Sequence, residues 1–236
     1  MNVKLIWVTP DPEKQIAYIA RVSNPANQDN PNYAKLITYL IKNKHWSPLE
    51  HSVMSVEITT SRAIATQMIR HRSFNFQEFS QRYSEATDFE PVELRKQAIK
   101  NRQSSLEVFD PVLQTFEDDY EPYEYRASEG IEHYLEDAHA FYKELLEHGV
   151  AKEVARMVLP LTTQTTLYMT GSARSWLHYL DLRMDEHTQK EHRDIANAIA
   201  VLFAEHYPTV WEAYQHIKSE EQEMRKVYEL HTAIKA

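Results

Sequence analysis

The densest group of chemically capable side chains runs from Arg70-His71-Arg72 through Ser73, Glu78, Ser80 and Arg82 to Tyr83. Three arginines, a histidine, a glutamate and two serines within fourteen residues are costly to bury without a polyanionic partner. Guanidinium forks bind phosphate oxygens bidentately, so one reading is a nucleotide site. The other is a solvated helix end, where cations meet the negative pole of the macrodipole. Gln67 and Arg70 stand three apart on what reads as a helix, so they share a face and can address one ligand. Ser80 has only cationic arginines and weakly basic carboxylates near it in sequence, so it reads as a binding group and not a nucleophile.

The chain has no cysteine, which excludes disulfides, thiolate metal sites and cysteine nucleophiles. Its three glycines, Gly130, Gly149 and Gly171, are too scattered for a G-x-G-x-x-G or Walker A loop. Bound phosphates must therefore be held by arginine, serine, glutamine or helix N-termini. A net charge of −9 opposes general affinity for duplex nucleic acid and leaves room for a local cationic pocket. Two competing classes stay open. The pair His187 and Glu191 at i, i+4 suits a metal-dependent hydrolase, although no H-E-x-x-H run is present and no metal site is expected. Arginines interleaved with Phe74, Phe76 and Phe79 suit an RNA-binding module, although such rings more often pack in cores or interfaces. No apolar run is long enough to cross a bilayer, and the N-terminus lacks a signal peptide's cleavage pattern, which predicts a cytoplasmic protein.

The elements that must position these residues follow from periodicity. Residues 3–8 and the β-branched run 52–60 read as strands. Helices are predicted over residues 10–21, 33–41, 131–146, 151–157, 173–182, 187–206 and 209–229, with Gly149 closing the third of the run as a C-cap. Ser61 reads as the N-cap of a further helix reaching about His71. Residues 23–31 read as a loop, 45–51 as a turn, 74–83 show no clean period, and 84–128 are charged and irregular. The mixture predicts an α+β fold over one domain, residues 1–236, with a helical tail about 218–236.

Five sequence blocks then carry a specific resemblance. Arg70-His71-Arg72, seven residues and Ser80, extended by Glu78, Arg82 and Tyr83, resembles the signature of flavin-dependent thymidylate synthases. Ala20-Arg21-Val22-Ser23 and His45-Trp46-Ser47-Pro48-Leu49-Glu50-His51 are similar to two upstream blocks of that family. Glu153-Val154-Ala155-Arg156 with Leu159-Pro160-Leu161, and Ala173-Arg174-Ser175 through Arg183, Asp185 and His187, resemble two downstream ones. The departures are Asn75 and Gln77 for the usual Ser and Asn, three phenylalanines at smaller or polar positions, and Ser172 where Asn is common.

The resemblance implies a helix-rich fold around a small, mainly antiparallel sheet, and the methylation of dUMP to dTMP. It also implies FAD as cofactor, NADPH and 5,10-methylenetetrahydrofolate as co-substrates, and a homotetramer with shared active sites. By resemblance Ser47, Arg70, His71, Arg72, Glu78, Ser172, Arg174 and His178 contact FAD, with Ser23, His45 and Glu50 in the flavin neighbourhood. Gln67, Arg70, Glu78, Phe79, Ser80, Gln81, Arg82, Arg156 and Arg183 are implied to hold dUMP. Arg183 is the implied catalytic residue: a guanidinium stays cationic while negative charge develops on the pyrimidine. A route without covalent attachment to the enzyme fits a chain lacking cysteine.

Overall fold

The computed structural model describes residues 1–85, 88–101, 103–117 and 121–235, with side chains through residue 226 except that of residue 225. Residues 86, 87, 102 and 118–120 of the predicted irregular segment, and residue 236 of the predicted tail, lie outside the described residues. The strands are β1 (Asn2–Val8), β2 (Val53–Ser61), β3 (Asn75–Glu78), β4 (Arg95–Gln97), β5 (Ser105–Val108), β6 (Val112–Phe116), β7 (Tyr123–Arg126) and β8 (Gln164–Ser172). The helices are α1 (Pro12–Ala20), α2 (Ala34–Lys42), α3 (Arg62–Met68), α4 (Ala127–Glu147), α5 (Lys152–Ala155), α6 (Ala173–Arg183), α7 (Lys190–His206) and α8 (Pro208–Lys235). The class is α+β, as the periodicity predicts.

The main sheet has the order β1-β2-β8-β3 and is antiparallel throughout. One face carries Met54, Val56 and Ile58 of β2 with Leu167 and Met169 of β8, all fully buried against α3, α6 and α7. The other is polar: Thr170 Oγ1 donates to Ser55 Oγ at 2.8 Å, Thr59 and Thr166 pair at 3.3 Å, and Lys4 meets Glu57 at 2.7 Å. Such two-faced strands are the ordinary solution for an antiparallel sheet covered on one side. Trp176 of α6 lies in the core and donates its indole N–H to the Met54 carbonyl at 3.1 Å, tying helix to sheet.

Two junctions set the geometry of the site. β2 runs directly into α3 and β8 directly into α6, without an intervening loop. Because the two strands are antiparallel, with Ser61 opposite Gln164 and Val53 opposite Ser172, the helices start at opposite ends of the strand pair. Nine residues of strand span about 30 Å, whereas seven and eleven residues of helix together span about 27 Å. The C-terminal ends of α3 and α6 therefore meet over the sheet, and Gln67, Arg70, His71 and Arg183 ride on those ends.

Several details differ from the sequence reading. Periodicity predicts no strand at β8, because threonines and a glutamine dilute its alternation, yet it is the strand flanked by both β2 and β3. The segment without clean period holds β3, and the irregular segment holds two hairpins, β4–β5 and β6–β7. Ser61 occupies the N-cap position of α3, but its hydroxyl makes no capping bond; the Glu90 carboxylate instead accepts the Ser61 N–H at 2.8 Å. α3 stops at Met68, short of His71, and α4 begins at Ala127. Gly149 does close α4: its φ is +83°, and Gly149 and Val150 donate to the Leu146 and Leu145 carbonyls at 3.0 and 2.9 Å. The predicted 151–157 helix shortens to α5 and a 3-10 turn at Arg156–Val158.

Candidate active site

Gln67, Arg70 and Arg183 line one cavity of about 660 Å³ between the ends of α3 and α6 and the loop that leads into α7. Arg183 Nε donates to His71 Nε2 at 2.9 Å, so that ring nitrogen is an acceptor and His71 is neutral with its proton on Nδ1. Burial first, and the Arg183 guanidinium second, push the His71 pKa down to about 4. The His71 ring sits edge-on to Tyr179 with centroids 4.9 Å apart. A residue implied to touch the flavin thus directly holds the one implied to act on the substrate.

A second group gathers where α6 begins. Ser172 caps α6 by accepting the Ser175 N–H at 3.2 Å. Its hydroxyl donates to Glu50 Oε2 at 2.6 Å, and Arg174 donates to Glu50 Oε1 at 2.7 Å. Burial alone would raise the Glu50 pKa, but the Ser172 and Arg174 hydrogen bonds outweigh it and hold the carboxyl below its usual value. Glu50 lies in the 3-10 turn Ser47–His51, whose preceding Trp46 packs edge-on against His178 at 5.3 Å. Burial, then Arg174, lowers the His178 pKa.

The remaining predicted residues lie elsewhere. Arg82 pairs with Glu153 at 3.2 Å, and Arg156 Nε donates to the Glu153 carbonyl at 3.3 Å. Phe79 and Ser80 are exposed, and Gln81 is buried with Nε2 lacking a partner among the described residues. No hydrogen bond or ion pair among the described residues joins this group to the cavity. Glu78 accepts from Arg62 at 3.1 Å and from Thr165 at 3.0 Å. His45 is exposed and edge-on to Tyr39 at 5.7 Å, and Ser23 is exposed just after α1. Arg21 of that block is a clamp, donating to the Asn30 and Asn32 carbonyls at 2.6 and 2.9 Å and holding the asparagine-rich loop.

The donor set suits an anionic cofactor. Arg62, Arg82, Arg95, Arg126 and Arg174 each have a carboxylate partner, whereas Arg70, Arg72 and Arg183 have none among the described residues. In a chain of net charge −9, unpaired guanidiniums, two of which (Arg70 and Arg183) line one cavity, fit phosphate or pyrophosphate groups supplied by ligands. Phe74, a candidate stacking ring, is instead core: it packs against Trp176 and Tyr179, and a Cβ on Gly171 would come within 2.4 Å of it. That removes one ring from the RNA-binding reading. Among the described residues no group of three or more His, Asp or Glu is placed to hold a metal, and Glu191 pairs with Arg95 at 2.6 Å.

Sequence reasoning missed His192, Tyr179, Gln189 and the part Glu191 plays beside them, which bond to Gln67 and to one another behind the cavity. The signal was present, since His192 falls on the buried face of α7 with Ile195, Ala196 and Ile199. A histidine on an apolar helix face needs hydrogen-bond partners.

Residues 4–209 match the thymidylate synthase complementing protein family. A flavin-dependent thymidylate synthase of Synechocystis is 52% identical over 199 residues, covering 84% of this chain and 87% of that protein. A probable flavin-dependent thymidylate synthase of Paramecium bursaria Chlorella virus 1 is 45% identical, covering 90% and 98%. Among solved structures, the UMP/dUMP methylase PolB from Streptomyces cacaoi, bound with 5-Br dUMP, superposes with a TM-score of 0.75 at 26% identity, covering 91% of this chain and 94% of that one. The unpaired arginines, the two strand-to-helix junctions and the matches across nearly the whole chain agree: the chain belongs to the flavin-dependent thymidylate synthases.

Proposed function

We propose that this protein methylates dUMP to dTMP, with FAD as its flavin, 5,10-methylenetetrahydrofolate as carbon donor and NADPH as reductant. The observation that carries the reading is the convergence of Gln67, Arg70 and the His71-bonded Arg183 on one cavity, where neither arginine has an ion-pair partner among the described residues and the lining Asp181 is paired with Lys218. Arg183, steered through its Nε–H by neutral His71, keeps its other N–H donors for the substrate. There it favours negative charge on the uracil ring. Gln67 and Arg70 bind the same nucleotide from α3. Arg72, with Ser47, Ser172, Arg174 and His178, holds the flavin, and Ser23, His45 and Glu50 shape its surroundings. When bound, the flavin supplies the hydride for the reduction.

Phe79, Ser80, Gln81, Arg82 and Arg156 complete the dUMP site from another subunit of a cytoplasmic homotetramer of single-domain chains. Their separation from the cavity supports this, as do the exposed Tyr83, Met157 and Leu161 beside them and the unpartnered Gln81 amide. The test is a visible spectrum of the purified protein with and without dUMP, followed by product analysis. A flavin band that shifts with dUMP, and dTMP formed from all three co-reactants, is the expected result. A protein that makes no dTMP with FAD supplied would overturn the reading.

A further inference from the structure

Behind the cavity, six side chains form one line of five hydrogen bonds. Arg95 Nη2 donates to Glu191 Oε1 at 2.6 Å; Gln189 Nε2 donates to Glu191 Oε2 at 2.9 Å; Gln67 Nε2 donates to Gln189 Oε1 at 2.7 Å. Gln67 Oε1 then faces His192 Nδ1 at 3.3 Å, and His192 Nε2 faces the Tyr179 hydroxyl at 3.1 Å. His192 is fully buried, and burial, with Arg183 and His71 nearby, pushes its pKa down to about 3. It is therefore neutral, with one ring proton.

The direction of this line follows from its first link. Arginine can only donate and an ionised carboxylate can only accept, so Glu191 must receive from both Arg95 and Gln189. Gln189 then turns its amide nitrogen to Glu191 and its oxygen to Gln67. Gln67 in turn gives its nitrogen to Gln189 and its oxygen to His192. The ring atom facing that oxygen must carry the proton, and Tyr179 donates to the other. Every amide and tautomer between Glu191 and Tyr179 is thus decided at Glu191, and Gln67 is the member that lines the cavity together with Gln189.

We propose that Glu191 is a positioning residue for the substrate, which fixes, through this one-way chain, which edge of the Gln67 amide faces the cavity, with the His192 tautomer following that setting. The proposal rests on the reading that the cavity takes dUMP. A glutamine at 191 must give its oxygen to Arg95 and hence its nitrogen to Gln189. That reverses every later link, including Gln67, and moves the His192 proton to Nε2.

The test uses the full-length flavoprotein with its histidines labelled with nitrogen-15, His192 being assigned from a His192→Phe sample. Nitrogen shifts are expected to show Nδ1–H in the wild type and Nε2–H in Glu191→Gln, with dUMP affinity by calorimetry lowered about tenfold in the variant, the scale of one misdirected hydrogen bond. Tyr179→Phe should keep Nδ1–H, because it removes the far end of the chain and not its origin. Nε2–H in the wild type, an unchanged tautomer in Glu191→Gln, or a reversed tautomer with unchanged dUMP affinity would each overturn the proposal. If Glu191→Gln does not fold, the wild-type and Tyr179→Phe tautomers decide: a switch in the latter would place control at the tyrosine end. A wild type that shows the stated tautomer but binds no dUMP would overturn the substrate reading of the cavity and not the direction of the chain.

Discussion

Arg174 and Arg183 stand at opposite ends of one helix, and their surroundings differ in kind. Arg174, in the first turn of α6, is neutralised by Glu50 at 2.7 Å, whereas Arg183, in the last turn, has among the described residues no ion pair and bonds the neutral His71 ring at 2.9 Å. The helix itself accounts for much of this. Its positive N-terminal pole disfavours a cation, so Arg174 needs a carboxylate beside it; the negative C-terminal pole favours one by about 0.3–1 kcal/mol, so Arg183 persists without. On the proposed function, Arg183 keeps its charge available to a ligand, and Arg174 serves as a shaped hydrogen-bond donor whose field is largely cancelled.

This contrast is tested most severely at Arg183. Replacing Arg183 by Ala should lower turnover by about 10²–10³-fold, the scale of removing one preorganised electrostatic donor, while the flavin stays bound. Steady-state kinetics alongside the flavin spectrum would check both, and full activity would sink the assignment. Arg72→Ala comes next, because its guanidinium also lacks a counter-ion among the described residues. A charge-assisted bond is worth about 1.5–3 kcal/mol, so flavin retention should weaken by roughly ten- to a hundred-fold in equilibrium titration. Unchanged flavin affinity would remove Arg72 from the cofactor site.

Smaller effects are expected where charges are already balanced or absent. Ser80→Ala should raise the dUMP dissociation constant by roughly two- to tenfold and leave turnover measurable, since one neutral hydrogen bond is lost and no covalent step. Unaltered affinity with no turnover would point to a nucleophilic serine. Glu50→Gln should cost less than about 1 kcal/mol of stability, because the Glu50–Arg174 pair is half exposed and screened. Its pH dependence has a definite sign. The folded-state pKa of Glu50 is depressed, so its contribution is complete above the ordinary glutamate value of 4.5 and is lost as pH falls through the lower folded value. Melting temperatures of wild type and Glu50→Gln should therefore differ at neutral pH and converge in acid; a gap that widened in acid would contradict the assigned sign.

The helical frame was legible because its signals are local. The pattern of α4 and the left-handed Gly149 after it depend only on neighbours in sequence, and both appear where periodicity places them. β8 was not legible in the same way. Thr165, Leu167, Met169 and Gly171 alternate with polar residues, but the strand is defined by pairing with residues 53–61 and 75–78, more than a hundred and about ninety positions away. Phe74 depends likewise on a distant residue, since its ring fits only because Gly171 across the sheet has no side chain.

By itself the sequence determined which chemistry was present: guanidiniums at fixed helical spacing, no thiol, no glycine-rich loop, and ordered blocks that resemble one family. Those are properties of residue type and short separation, which the chain carries in any conformation. Only the tertiary structure decided which arginines have a counter-ion, that His71 meets Arg183, and that Glu191, far away in sequence, is linked through Gln189 to Gln67. Hydrogen bonds and ion pairs act over about 3 Å, and nothing in the local pattern of α3, α6 and α7 brings their ends to that distance. The antiparallel pairing of β2 with β8 does so, by starting two helices from opposite ends of one strand pair and letting their ends meet.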